Sequence, residues 1–274
     1  MTHYPAIDVR TGSSDLLLAI VDDFGPIAAE ERDDTVRVFF PTAAARDAAR
    51  DVLVSGFEVA AIDVPDEDWA RRSQHNLTPI TVGRITVFPN PEPRIPNPEP
   101  RIPSPSPIDI VIAPSMGFGT GHHVTTRLCL AALQTLDLTN LVVLDVGTGS
   151  GVLAIAADRL GAAQATGIDC DADAIQSARE NLPLNPDARH VRFDVADLAA
   201  AGLPAADVVA ANLTGALLVR SAPALLAAVR PGGWLILSGI LAHERDEVVR
   251  AMAPASVCWE REDDGWVGLA MKKS

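Results

Sequence analysis

Two rhythms of apolar and polar residues divide the chain. In residues 5 to 64 short stretches change character every few residues. AIDVR (6–10) alternates as a strand does, and SSDLLLAIVDDF (13–24) opens on Ser and Asp cap candidates and continues as an apolar helix. PIAAEER and TVRVFF predict a hairpin around Asp33 and Asp34. TAAARDAARDVLVSGF is an alanine-rich helix ended by Gly56, and EVAAIDV is a last strand. The order βαββαβ is that of a ferredoxin-like α+β module.

Beyond residue 108 buried strands and helices alternate. LVVLD (141–145), ATGID (165–169), HVRFD, DVVAAN and GWLILSG read as strands. VLAIAADRL, DADAIQSARENL, ALLVRSAPALLAAV and HERDEVVRAM read as helices, and a further helix is expected over 125–136. Strict alternation predicts a parallel sheet covered on both faces, while SVCWE and WVGLAMK, with no helix between them, predict an antiparallel edge. The fold class is α/β, a doubly wound Rossmann-like sheet behind a small N-terminal domain. Residues 1–66 form the small domain, 67–108 a bridge and linker, and 109–274 the doubly wound domain. The linker carries PNPEPRI twice and then a degraded copy over 89–107; proline at nearly every second position removes amide donors and fixes φ, so the segment is expected to be extended and solvated.

Composition narrows the function. The net charge is −14, so the chain lacks the basic footprint of direct nucleic-acid binding, and a basic partner is the natural complement. The first 88 residues hold fifteen acidic and eight basic side chains, which suits docking of such a partner. Cys129, Cys170 and Cys258 are too few and too scattered for a disulfide framework and read as small core residues of a reduced cytoplasm. No apolar run has the length or flanks of a signal or a membrane span, so a cytoplasmic protein with no membrane partner is expected.

In a doubly wound sheet, ligands sit at the carboxyl ends of the strands where strand order reverses. The first strand there ends in Asp145-Val146-Gly147-Thr148-Gly149-Ser150-Gly151 and opens directly into a helix, so the backbone can approach a ligand closely. Asp169 closes the next strand, 22 residues after Gly147, where a carboxylate can accept both hydroxyls of a ribose. Asp169, Asp171 and Asp173 compete to cap the following helix; it needs one cap, which leaves Asp169 for the ribose. Nicotinamide and S-adenosylmethionine binders both place an acid at this offset. The glycines run G-x-G-x-G, whereas a pyrophosphate fingerprint wants Gly or Ala where Val152 stands. The fourth strand ends in Ala211-Asn212-Leu213-Thr214, a neutral amide whose oxygen can accept from an amine and orient its lone pair; hydride transfer would want an acid or base there. The segment MGFGTGHHVTT (116–126) lacks the Lys-Ser or Lys-Thr of a phosphate cradle, and adjacent His122 and His123 point apart and have no nearby ligands to complete a metal site.

FGTGHHVTT, LVVLDVGTGSGVLAIAADRLGA, ATGIDCDADAIQSARENLPLN, DVVAANLTGALL and LILSGIL together resemble the methyltransferase family that modifies ribosomal protein eleven of the large subunit. The resemblance runs from about Trp69 to the C-terminus, needs no insertion or deletion from Phe118 to Asp169, and matches the βαββαβ reading to that family's substrate-docking domain. It implies S-adenosylmethionine as cofactor, a protein lysine or other amino group as acceptor, and a basic large-subunit ribosomal protein as partner, with the enzyme a monomer. It also implies cofactor contacts from Phe118, Gly119, Thr120, Thr126, Asp145, Gly147, Gly149, Asp169 and Asn212, with Asn212 also catalytic. Two stretches depart from the family pattern. His122 and Val124 stand where FGTGTHPTT has Thr and Pro, and Leu213-Thr214-Gly215-Ala216-Leu217 stands where the Asn motif continues Ile-Leu-Ala-x-Pro-Leu.

Overall fold

The computed structural model describes residues 3–11, 17, 20–21, 24–26, 28–32, 35–65, 78–89, 106–113, 123–198 and 202–274. Helix 13–24 is described only at Leu17, Ile20, Val21 and Phe24, the first three of them helical, and the proline-rich repeat lies outside the described residues apart from its ends. The chain divides into two compact units, Met1–Asn76 and Leu77–Ser274.

In the smaller unit β1 (His3–Arg10), β2 (Ala28–Arg32), β3 (Thr35–Phe39) and β4 (Glu58–Pro65) form a four-stranded sheet in the order β2-β3-β1-β4. The β2, β3 and β1, β4 neighbours all run antiparallel. Strand alternation turns Ile7, Val9, Val36 and Val38 onto one face, where they bury against Ala49 and Leu53 of α1 (Ala43–Leu53) together with Leu17 and Val21. Thr42 caps α1 by accepting from the Ala45 N–H at 3.1 Å. On the other face Arg37 of β3 grips Asp8 of β1 with two hydrogen bonds of 2.5 and 2.6 Å, between residues level with each other across the sheet.

In the larger unit β5 (Ile80–Val82), β6 (Ile85–Phe88) and β7 (Ile108–Val111) form a three-stranded sheet, β6 and β7 parallel. β5 and β6 were expected to be bridge, and the doubly wound domain to begin at residue 109, within β7. Ile85, Val87, Ile108 and Ile110 are instead core residues of the larger unit. The parallel pairing also explains a long connection at 89–107, because parallel neighbours cannot be joined by a tight turn.

The main sheet is built from β8 (Val142–Val146), β9 (Gln164–Asp169), β10 (Val191–Val195), β11 (Ala206–Asn212), β12 (Val229–Leu241), β13 (Ser256–Asp263) and β14 (Trp266–Lys272), in the order β10-β9-β8-β11-β12-β14-β13. The first five are parallel, and β14 and β13 run antiparallel at the edge. α2 (Val124–Leu133), α3 (Val152–Arg159) and α4 (Ala172–Asn181) supply residues to one core, and α5 (Gly215–Ala228) and α6 (Arg245–Ala251) to the other. The alternation read along the chain is therefore a sheet covered on both faces.

Helix α2 stops at Leu133, short of the expected 136. The Gln134 side chain turns away to accept from the Arg84 N–H at 2.9 Å and donate to the Val82 carbonyl at 2.9 Å, stitching the β5–β6 turn to the helix end. The cysteine reading also needs correction. Cys129 is buried, but Cys170 and Cys258 are exposed, because each falls where its strand or turn faces solvent. Among the described residues, no helix is long and apolar enough to cross a membrane.

Candidate active site

The order of the main sheet reverses at β8, which has β9 on one side and β11 on the other. Val146 is level with Ile168 of β9 and with Ala211 of β11. One step further along each strand, Gly147, Asp169 and Asn212 therefore stand in a row where the strands leave the sheet. Three candidates read from separate stretches of sequence are brought to one edge, at the switch point where such folds bind ligands.

The glycine loop is held from several directions. The N–H groups of Gly147 and Thr148 both donate to the Ile168 carbonyl at 2.9 Å, and Gly151 N–H donates to the Thr148 carbonyl at 2.9 Å. Gly147, Gly149 and Gly151 have φ of 71°, 52° and 86°, in the left-handed region that disfavours side chains. At Gly151 space is also short: a Cβ would lie 2.6 Å from Phe193 Cζ and 3.1 Å from Ala178 Cβ. Gly151, the N-cap of α3, offers no side-chain cap.

Asp169 does two things at once. Its Oδ2 accepts from the Gly149 N–H at 3.1 Å, and its Oδ1 from the Asp171 N–H at 3.0 Å. Each carboxylate oxygen has a further lone pair, so the side chain can shape the loop and still accept from two hydroxyls. The competition to cap α4 is resolved in favour of Asp171, whose carboxylate accepts from the Asp173 N–H at 2.9 Å.

Asp145 is 1 % exposed. Thr148 Oγ1 donates to its Oδ2 at 2.6 Å, while among the described residues Oδ1 has no hydrogen-bond partner. Burial pushes its carboxyl up to about 7, against the pull of the Thr148 hydrogen bond. A buried acceptor left open beside a glycine cradle and a ribose-type acid fits a ligand that brings a nucleoside and an amino group.

On the β11 side, Asn212 Nδ2 donates to Thr126 Oγ1 at 3.4 Å, a long contact between residues 86 apart in sequence. Thr126 lies in the first turn of α2 and is 1 % exposed. His123 caps α2: its Nδ1 accepts from the Thr125 N–H at 3.3 Å and lies 2.7 Å from Thr125 Oγ1, and its ring meets Trp266 edge-on with centroids 5.2 Å apart. Burial, and then the Arg127 charge, lower the His123 pKa and favour the neutral ring. Phe118, Gly119, Thr120 and His122 lie outside the described residues.

The departure at Gly215 has a structural counterpart. A Cβ there would fall 2.6 Å from a carboxylate oxygen of Glu244, which accepts from the Leu241 N–H at 2.9 Å, so the alanine of the family pattern would require the Glu244 carboxylate to shift. Beside them lies a groove of about 250 Å³ lined by Ala216, Arg220, Glu244 and Glu247 among others. Thr148 and Phe193 carry weight that sequence reasoning missed. Thr148 was one letter in a glycine run, and nothing in the spacing of Phe193, 42 residues on from Gly151, announces that its ring fills the space beneath that glycine.

A sheet of this order, with its glycine loop, strand-end acid and strand-end amide, defines an S-adenosylmethionine-dependent methyltransferase domain of the Rossmann-like type. The family model described as ribosomal protein L11 methyltransferase (PrmA) matches residues 28–274. Curated relatives named ribosomal protein L11 methyltransferase include one from Pelobacter propionicus, 40% identical over 77% of this chain and 68% of its own. Another, from Deinococcus radiodurans, is 37% identical over 86% of this chain and 82% of its own. A crystal structure of ribosomal protein L11 methylase from Lactobacillus delbrueckii subsp. bulgaricus superposes with a TM-score of 0.62 at 27% identity, covering 72% of this chain and 99% of that one. The chain belongs to the ribosomal protein L11 methyltransferase family.

Proposed function

We propose that this enzyme transfers methyl groups from S-adenosylmethionine to amino groups of the large-subunit ribosomal protein L11, in the cytoplasm and as a monomer. The observation that carries the reading is the row formed by Gly147, Asp169 and Asn212 at the switch point of the sheet. In this reading the cofactor supplies an activated methyl carbon, and the protein positions and desolvates the reactants. The glycine loop and Asp169 hold the nucleoside end, Asp145 Oδ1 faces the amino-acid end, and Phe118, Gly119, Thr120 and Thr126 complete the contacts.

A lysine amine must be neutral to attack, and burial lowers its pKa. Asn212 Oδ1 accepts a hydrogen of the amine and points its lone pair at the methyl carbon. As the new N–C bond forms, the C–S bond breaks and its electron pair stays on sulfur; the ammonium product then loses its proton to solvent. The acidic small domain, in a ferredoxin-like arrangement, is the docking element for the basic substrate; with a net charge of −14, direct contact with nucleic acid is not part of the reading.

Incubation with S-adenosylmethionine and a panel of purified large-subunit ribosomal proteins, followed by intact-mass measurement, tests this directly. Added methyl mass on L11 is expected. Mass gained only by another protein would reject the substrate and keep the methyltransferase, and the unusual Gly215–Glu244 contact is where an altered acceptor site would then be sought.

A further inference from the structure

We propose that Asn181, at the end of α4, is a positioning residue for the cofactor loop. The inference rests on the reading of that loop as the S-adenosylmethionine site. Asn181 and Asn185 are 1 % and 3 % exposed, and a buried amide is costly unless both of its ends are paired. Both are. Asn185 Oδ1 accepts from the Val111 N–H at 2.8 Å, and its Nδ2 donates to the Val111 carbonyl at 2.7 Å and the Asn181 carbonyl at 2.9 Å. It satisfies the outer edge of β7 as a neighbouring strand would, which is a structural task.

Asn181 differs in what it touches. Its Oδ1 accepts from the Ala113 N–H at 2.9 Å, and its Nδ2 donates to the Ser150 carbonyl at 3.0 Å. That carbonyl belongs to the same peptide unit as the Gly151 N–H, which donates to the Thr148 carbonyl. Asn181 therefore holds the Ser150–Gly151 peptide from its carbonyl side while the Thr148 carbonyl holds its N–H, and ties it to the chain leaving β7. All three loop glycines sit at positive φ, where side chains are disfavoured, so the loop depends on such contacts rather than on side chains of its own to keep its peptides aligned. Among the described residues, the Asn185 side chain bonds Val111 and the Asn181 carbonyl but no atom of the loop, which makes it the comparison variant.

The test measures S-adenosylhomocysteine binding by calorimetry, well below the melting temperature, for the full chain and for Asn181→Asp, Asn181→Ser and Asn185→Ala. Asn181→Asp keeps the acceptor for Ala113 and sets a carboxylate oxygen against the Ser150 carbonyl; Asn181→Ser is the milder change if the aspartate variant does not fold. The Asn181 variants are expected to raise Kd, and KM for S-adenosylmethionine, about tenfold, with kcat within about threefold at saturation. Asn185→Ala is expected to lower Tm at least as much with Kd within about twofold. Unchanged Kd in both Asn181 variants, or an equal rise in Asn185→Ala, overturns the positioning role. Failure of the unaltered chain to bind S-adenosylhomocysteine overturns the cofactor reading itself, and this inference with it.

Discussion

Among the described residues, many hydrogen bonds hold the site on its β9 side and few on its β11 side. Toward β9 the loop from Gly147 to Gly151 is held by the Ile168 carbonyl, the Asp169 carboxylate, Asn181 and the ring of Phe193. Toward β11, among the described residues, the catalytic candidate Asn212 makes one side-chain hydrogen bond, the 3.4 Å bond to Thr126. A cofactor common to every turnover rewards a cradle preorganised at folding, because no ordering cost is then met on binding. An acceptor amine must enter, react and leave, and a polar group with one end still open suits it better.

The largest effect that would break this contrast comes from Gly151→Ala. The new Cβ meets Phe193 and Ala178 at a φ of 86°, so neither the backbone nor its neighbours can relax cheaply. A loss of about 2–4 kcal/mol in the stability of the larger unit is expected, with cofactor affinity lost alongside, by thermal melting and calorimetry. Unaltered stability would show that the cradle is looser than its contacts imply.

Next in size, Asn212→Ala should cut kcat roughly a hundredfold while the Kd for S-adenosylhomocysteine stays within about threefold. A matching loss of affinity would move Asn212 from the acceptor side to the cofactor side. Asp169→Ala should do the reverse, weakening cofactor binding by about ten- to a hundredfold with kcat at saturation little changed, since it removes a charged acceptor and the anchor of the Gly149 N–H. Retained affinity in calorimetry would remove the ribose contact from the scheme.

The smallest effect is a pH dependence. Asp145, pushed up to about 7 from an ordinary 3.8, holds a proton in the folded state that the unfolded chain has already released between those values. Its contribution to stability is therefore complete below about pH 4 and is lost as pH rises through about 7. Asn at this position is neutral throughout, so urea midpoints of Asp145→Asn relative to the unaltered chain should improve from pH 5 to pH 8. Parallel midpoints across that range would mean Asp145 is ionised in the fold.

Much of the cofactor half was legible along the chain because its parts are sequence neighbours. Three glycines, the strand before them and the helix after them fall within nineteen residues, Leu141–Arg159, and their order alone implies a close-approach loop. The cap of α4 was legible to within three aspartates for the same reason, since Asp171 acts on a residue two positions away. The bridge was misread because Ile85 and Ile108 are partners across a connection whose prolines look like a linker, and an edge strand paired in parallel carries no turn signal. Cys170 and Cys258 were misplaced because residue type predicts burial only on average, whereas the side of the strand decides it.

Sequence by itself determined the alternation of elements, the loop that only glycines permit, and the residue types available to a nucleoside and an amine, because these follow from local sterics and periodicity. Tertiary structure decided that Gly147, Asp169 and Asn212 stand level, that Phe193 closes the space under Gly151, and that Asn181 reaches Ser150. Those are properties of register between strands distant in sequence, and register is chosen when both faces of the sheet bury their side chains together, a condition that no single stretch of the chain contains.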